Sequence, residues 1–372
     1  MSRPSTAPPP RRRLLPGGRL DRYVLSLFTG SYAVAFLLVV GLFLILDLAT
    51  KLDEYLRPDE QGNTPSSWKV VQFYALNLPF LYLQLAPFVT LLAGLFTLSK
   101  LLRSNEVVAA LGAGVGTHRL LAPVYLAAVV LAAGMFSLRE WVTERAGNRR
   151  DALEDQLLER RNVPVFEGVW LKDRAGNPVR LAEFRASDPA VAIGLEATLM
   201  SGERWINVEA ARAEYRRGSW WLEGGFREDL DDRDAARVPL ERLEEVQFQP
   251  RDVLVARKAH KRPLDLSFGE VRELAVRDPD DVRFQTLLQY HLTFPLAHVV
   301  LLLVGLPLLL RQERGQVEGI AGGFILCVIY FGSDFVTRSL GLQGALSPML
   351  ASWLPVLFFG SLGVVLTGSM RS

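Results

Sequence analysis

Apolar residues in this chain gather into long charge-free runs instead of recurring at amphipathic spacing. The runs extend from Val24 to Leu46, Val70 to Ser99, Leu120 to Leu138, Phe284 to Leu310, Gly319 to Ser333 and about Pro348 to Met370. A hydrocarbon core of roughly 30 Å needs about 20 apolar residues in a helix, so the pattern predicts an α-helical membrane protein with about six transmembrane helices. The fifth run reaches Thr337 only if Asp334 is included, and a carboxylate there requires that helix to turn toward other helices or water. The second is longer than a bilayer needs and is expected to tilt or project beyond it.

Between the third and fourth runs the texture changes. A charged helical stretch from Glu144 to about Arg161 leads into short alternating segments: Val163 to Leu171, Val179 to Phe184, Val191 to Met200, Arg204 to Tyr215, Trp220 to Phe226 and Arg237 to Phe248. Turn-forming sequences separate them, among them Arg174-Ala175-Gly176-Asn177, Ser201-Gly202-Glu203 and Arg217-Gly218-Ser219. Such spacing predicts an inserted antiparallel β domain of sandwich, jellyroll or open-barrel type. Val191, Ile193 and Leu195, alternating along one strand, are its candidate inward face. Ser267, three residues before Glu270, predicts a capped helix continuing through Val271 and Leu274. The division read from the sequence is a disordered tail over 1–18, three spans over 19–143, the insert over 144–281 and three spans over 282–372.

Charge sets the expected orientation. The tail carries Arg3, Arg11, Arg12, Arg13, Arg19 and Arg22, the loop after the second run Lys100, Arg103 and Arg119, and the loop after the fourth Arg311 and Arg314. An excess of Lys and Arg marks cytoplasmic segments, so both termini are expected inside and the insert outside. The loop after the first run mixes Lys51, Arg57 and Lys69 with Asp53, Glu54, Asp59 and Glu60 and gives no competing signal. That first run is too long for a secretory h-region and lacks a small-residue cleavage site, so it reads as a retained helix. A composition 49% hydrophobic and 22% charged fits a membrane protein, and a net charge of +2 without a basic stripe sets nucleic acid aside as a partner. With Cys327 the single cysteine, no intrachain disulfide can brace the insert.

Catalytic motifs are missing. There is no GxxxxGK[ST], and Gly112-Ala113-Gly114-Val115-Gly116 lacks the lysine and follows a helix-like segment, as a helix cap and turn would. GxSxG and HExxH do not occur either. His291 and His298 have no carboxylate or cysteine at ligand spacing and read as packing or polar helix contacts; no metal site is expected. Asp47 with Lys51, and Asp334 with Arg338, lie four apart at the outer ends of the first and fifth spans and can each meet on one helical face. They anchor helix ends at the interface, or they line a path or gate for a charged substrate. In Ser104-Asn105-Glu106-Val107-Val108-Ala109-Ala110-Leu111-Gly112, Ser104 can cap a short helix, Glu106 suits its positive end and Gly112 can end it. Val107, Val108 and Leu111 then form one exposed apolar stripe over 104–112, for lipid headgroups or for a groove in a soluble partner.

From this loop outward the chain resembles the LptF/LptG lipopolysaccharide-export permeases. The matching residues are Leu20-Asp21-Arg22-Tyr23, Ser104-Asn105-Glu106-Val107-Val108 with Gly112 and Gly114, Glu140-Trp141-Val142, and Gly168-Val169-Trp170-Leu171-Lys172-Asp173, in that order within the layout of spans and insert. The first and last of these look closer to LptG than to LptF. The resemblance implies a non-enzymatic permease subunit of an inner-membrane exporter, paired with a second permease of the family and bound to a cytoplasmic ABC-type ATPase dimer. It implies no cofactor in this chain, with ATP and Mg held by the ATPase. The insert would be a periplasmic β-jellyroll handing lipopolysaccharide or a related glycolipid to a bridge protein of similar fold, and the first and fifth spans would flank a lateral gate. Glu106 matches the family's coupling-helix glutamate. Where LptG-like members often carry lysines near the outer end of the first span, this chain has Asp47, with Lys51 nearby. The alternative reading is a membrane-anchored scaffold whose β domain binds partners without moving lipid.

Overall fold

The computed structural model describes residues 18–56, 66–158, 165–201, 204–231, 236–244, 246–311 and 316–370. The tail arginines Arg3 to Arg13, the turn at 202–203 and Arg314 lie outside them. The helices are α1 (Arg19–Leu56), α2 (Ser67–Arg103), α3 (Glu106–Gly112), α4 (Thr117–Leu158), α5 (Pro250–Lys261), α6 (Phe268–Arg277), α7 (Val282–Thr293), α8 (Ala297–Arg311), α9 (Gln316–Leu342) and α10 (Pro348–Gly368). Six helical segments among the described residues are long and apolar enough to cross a membrane: Arg19–Leu56, Ser67–Arg103, Thr117–Thr143, Val282–Leu310, Glu318–Leu342 and Pro348–Gly368. The fourth of these joins α7 and α8 through a 3-10 turn at Phe294–Leu296, where Pro295 cannot donate to the helical ladder. The fifth outruns its uncharged stretch, and within it Arg338 pairs with Asp334 at 3.2 Å.

Two segments fill the centre of the bundle. Leu91, Leu95 and Leu98 of α2 and Leu301, Leu302 and Leu306 of α8 are buried together with Val24 and Phe28 of α1 and Leu121 and Val124 of α4. A Cβ at Gly94 would collide with Leu302 and one at Gly305 with Leu91, so the pair of glycines lets α2 and α8 approach closely. Small residues at the contact are the usual means of packing helices where lipid supplies no hydrophobic drive. By contrast α1, α9 and α10 leave most of their apolar surface facing outward, including Leu37, Ile45, Phe324, Val328 and Val365.

α4 passes through the sequence boundary at 144 without a break and runs for 42 residues, about 60 Å at 1.5 Å per residue. Its projecting end is locked by charge pairs to α5 and to the turn before α6, and α5 is locked in turn to α6. Arg150, 2% exposed, donates to Asp265 and Asp151, each at 2.8 Å, with its guanidinium 4.0 Å from the Phe80 ring centroid. Arg257 meets Asp155 through two 2.8 Å bonds and lies 3.8 Å from the Phe166 ring centroid, and Lys258 pairs with Glu270 at 3.1 Å. Arg262 meets Asp151 and Glu154; burial pulls its guanidinium down, but those partners outweigh burial and hold it above its ordinary value. This stem carries the β domain.

The β domain is one antiparallel sheet of β1 (Val165–Lys172), β2 (Pro178–Arg185), β3 (Val191–Ser201), β4 (Arg204–Arg216), β5 (Ser219–Glu223), β6 (Phe226–Asp229), β7 (Val238–Pro239) and β8 (Arg242–Leu243). Neighbours follow chain order from β1 to β5, a meander without a Greek-key crossing among the described residues. The single strand expected from Trp220 to Phe226 breaks at Gly224-Gly225, so that β4 pairs with β5 over one half and β6 over the other. The strand expected over Arg237 to Phe248 is reduced to two short pairings before α5, a helix with Pro250 in its first turn and a capping box of Gln249 and Asp252. The expected helix after it is α6, whose Ser267 accepts from Glu270 N at 3.1 Å while Glu270 accepts from Ser267 N at 2.8 Å.

The expected inward face of β3 needs correction. Leu195, Ala197 and Leu199 lie in the core with Ala190 and Ala192, whereas Val191 is buried but outside that core and Ile193 is only partly buried and outside it. Between them Gly194 has φ +61, and a Cβ there would sit 2.8 Å from that of Ala182. The positive φ resets the in-out alternation, so the buried set shifts from 190 and 192 to 195, 197 and 199. β1 does the same across Gly168, φ +62, with Phe166 and Val169 both in the core.

Candidate functional site

The loop between α2 and α4 is built by three caps. Ser104 ends α2, its N–H donating to Lys100 O at 3.1 Å, and does not cap α3 as its sequence position suggested. Asn105 holds the N-cap of α3 in the left-handed region, φ 55, a conformation Asn tolerates better than most residues. At the other end Gly114, φ 71, makes the reversal: its N–H bonds Leu111 O at 2.8 Å and Val115 N–H bonds Ala110 O at 2.8 Å, a Schellman arrangement. α3 does end at Gly112, but the glycine that the turn requires is Gly114.

The expected apolar stripe is divided. Val107 is 5% exposed and packs with the bundle core, Leu111 is partly buried against it, and Val108 is 65% exposed. A seven-residue helix lying on a bundle must bury one side, and Val107 with Leu111 supplies it. Glu106, half-buried, has one carboxylate oxygen, Oε1, at 2.8 Å from both Tyr23 Oη of α1 and Ser104 Oγ. Beside it Arg119, at the start of α4, forms a bidentate pair with Asp21, which is 5% exposed and also accepts from Gly18 N at 2.9 Å. Spacing in the chain gave no hint of these two links, since Tyr23 and Glu106 are 83 positions apart and Asp21 and Arg119 are 98 apart.

At the opposite end of the bundle the two acid-base pairs form as expected but do not meet. Asp47 bonds Lys51 at 2.8 Å through Oδ1 and accepts from Tyr74 Oη of α2 at 2.9 Å through Oδ2. Asp334 bonds Arg338, whose guanidinium lies 4.5 Å from the Tyr290 ring centroid of α7. Among the described residues the two pairs share no hydrogen bond or ion pair. An apolar cleft of ≈ 400 Å³ lies between α1, α2 and α9, lined by Leu38, Leu42, Phe43, Leu92, Gly323 and Phe324 among others. Sequence reading passed over Arg139 of α4, buried with its Nη1 lacking a hydrogen-bond partner among the described residues and with Phe294 5.6 Å away. The histidines are held by protein partners: His291 by Leu287 O and Leu266 O, His298 by Thr90 Oγ1. Among the described residues no three His, Cys, Asp or Glu gather to hold a metal.

A family profile described as "Lipopolysaccharide export system permease LptF/LptG" matches residues 22–368. The chain belongs to the LptF/LptG family. No curated protein matched the sequence. In this LptF/LptG chain the motif residues turn out to be joints. Asp21 ties α1 to the start of α4, and Tyr23 ties it to α3. Glu140 accepts from the N–H groups of Phe268 at 2.9 Å and Gly269 at 3.2 Å, a carboxylate seated on the positive end of α6. Asp173 is fully buried and organises the turn between β1 and β2, accepting from Ala175 N at 2.9 Å, Asn177 N at 2.8 Å and Gln247 N at 3.3 Å.

Proposed function

We propose that this chain is the permease subunit of an ATP-driven exporter that extracts lipopolysaccharide, or a related glycolipid, from the outer leaflet of the inner membrane and passes it to a periplasmic bridge protein. The match to the export-permease family over residues 22–368 carries this reading. Three further features support it. α3 offers Glu106 and Val108 at the end of the bundle where Arg19, Arg22, Lys100, Arg103 and Arg119 collect, as suits a cytoplasmic docking site for an ATPase dimer holding ATP and Mg. The uncovered apolar surfaces of α1 and α9 suit a second permease of the family, with the Asp47–Lys51 and Asp334–Arg338 pairs at the outer end of a lateral gate between the subunits. The β-domain core face that includes Leu195 suits acyl chains in transit.

The reading fixes an orientation, which is testable with Cys327 replaced. A cysteine at Ala113, exposed in the α3–α4 turn, is expected to resist an impermeant thiol reagent in intact cells, whereas one at Glu223, exposed at the end of β5, should react. Labelling of Ala113→Cys with protection of Glu223→Cys would invert the protein and overturn the proposal.

A further inference from the structure

The first turns of α1 make two different attachments, one to the start of α4 and one to α3. Asp21 and Arg119 form a paired, largely buried link between the foot of α1 and the foot of α4. Tyr23, two positions on, reaches with a single exposed hydroxyl to Glu106 of α3. One hydrogen bond at an exposed site contributes little to the fold; what it fixes is direction. Both bonds to Glu106 fall on Oε1, and Oε2 takes no hydrogen bond or ion pair among the described residues. The carboxylate can therefore receive a cation from a partner on one oxygen while the other stays tied to α1.

α1 is suited to carry what arrives at that tie. It is an uninterrupted helix of 38 residues, so a displacement at Tyr23 reaches Asp47 and its bond to Tyr74 near the other end without a hinge. Little of its outward surface is held by the bundle. We infer that Tyr23 is a positioning residue for coupling: its hydroxyl orients Glu106 toward the ATPase and makes α1 follow α3. This rests on the reading of α3 as the ATPase-docking helix.

The test uses the complex of this chain with its ATPase and second permease, reconstituted in lipopolysaccharide-containing vesicles with a soluble bridge-type acceptor. Lipid released and ATP hydrolysed are measured for Tyr23→Phe, Glu106→Gln and the double variant, alongside ATPase co-purification for each and for Glu106→Arg. Tyr23→Phe is expected to lower lipid released per ATP by about fivefold or more, the lower range of typical inter-site couplings, with the ATPase still co-purifying. Because Tyr23 acts through Glu106, the double variant should be no worse than Glu106→Gln, a non-additivity that unrelated structural damage would not produce. Unchanged release per ATP in Tyr23→Phe, or losses that simply add, overturns the inference. Should Glu106→Arg bind the ATPase as the parent does, the docking reading falls and the inference with it; if Glu106→Arg loses the ATPase but Tyr23→Phe behaves as the parent, only the inference falls.

Discussion

Replacing Glu106 by arginine is expected to abolish ATPase association and export while the chain still inserts and accumulates in the membrane. A carboxylate in the first turn of a helix gains roughly 0.3 to 1 kcal/mol from the helix dipole, small beside a total stability of about 5 to 15 kcal/mol. Losing it therefore leaves folding nearly untouched, and the bonds from Tyr23 and Ser104 that go with it lie at the surface. Across a partly desolvated interface, truncating one member of a charge pair costs about 2 to 5 kcal/mol, or roughly 30- to 5000-fold in affinity. Arginine adds repulsion against a cationic partner, so Glu106→Arg should exceed Glu106→Ala in effect. A compensating arginine-to-glutamate change in the ATPase should restore part of the binding. ATPase co-purification from mild detergent, measured with export for each variant, decides the matter. Parental values for Glu106→Arg would make α3 a membrane-surface helix with no part in ATP coupling.

The second large effect is predicted in the stem. Arg150→Ala removes a 2%-exposed guanidinium from between Asp265 and Asp151 and from the face of Phe80, leaving Asp265 nearly buried without its partner. Breaking a buried pair on one side costs about 3 to 5 kcal/mol, because the surviving charge keeps its desolvation penalty. The Arg150→Met, Asp265→Leu double variant removes both charges and should recover most of the loss. Thermal unfolding of the detergent-solubilised protein reads this out: a clearly lowered midpoint for Arg150→Ala, largely restored in the double variant. An unchanged midpoint for Arg150→Ala would show that the Arg150–Asp265 pair contributes nothing to holding α4 against the turn before α6.

The contrast between these substitutions explains what could be read from the chain beforehand. Spans were legible because lipid imposes a length and excludes charge, two constraints written directly in the runs from Val24 to Met370. Local contacts were equally legible: Asp47–Lys51, Asp334–Arg338 and the Ser267–Glu270 box lie within four residues and formed as spacing required. What spacing could not give was anything joining distant segments. α5 was not anticipated at all, although Pro250 and Asp252 mark a helix start. The stripe of α3 was read as wholly exposed because nothing in 104–112 tells that the bundle covers Val107. On β3 the alternation was extended across Gly194, which has a positive φ and lies close against Ala182 of β2. Tyr23 and Arg119 were missed for the same reason: their partners come from other helices. Asp21, Tyr23 and Glu140 stand in the resemblance motifs, yet the motifs alone do not name the partners these residues meet.

The proposed coupling has ATP hydrolysis on one side of the membrane drive lipid into the β domain on the other. It is tested most directly by a photo-crosslinking residue at Leu195 or Leu199, on the core face of β3, in vesicles containing the full complex and lipopolysaccharide. A second probe at Ile193, outside that core, serves as the comparison. Capture of glycolipid at Leu195 and Leu199 that requires ATP, is weaker at Ile193 and disappears with Glu106→Arg is the predicted result; equal capture with and without ATP would contradict it and leave the β domain a passive lipid-binding scaffold.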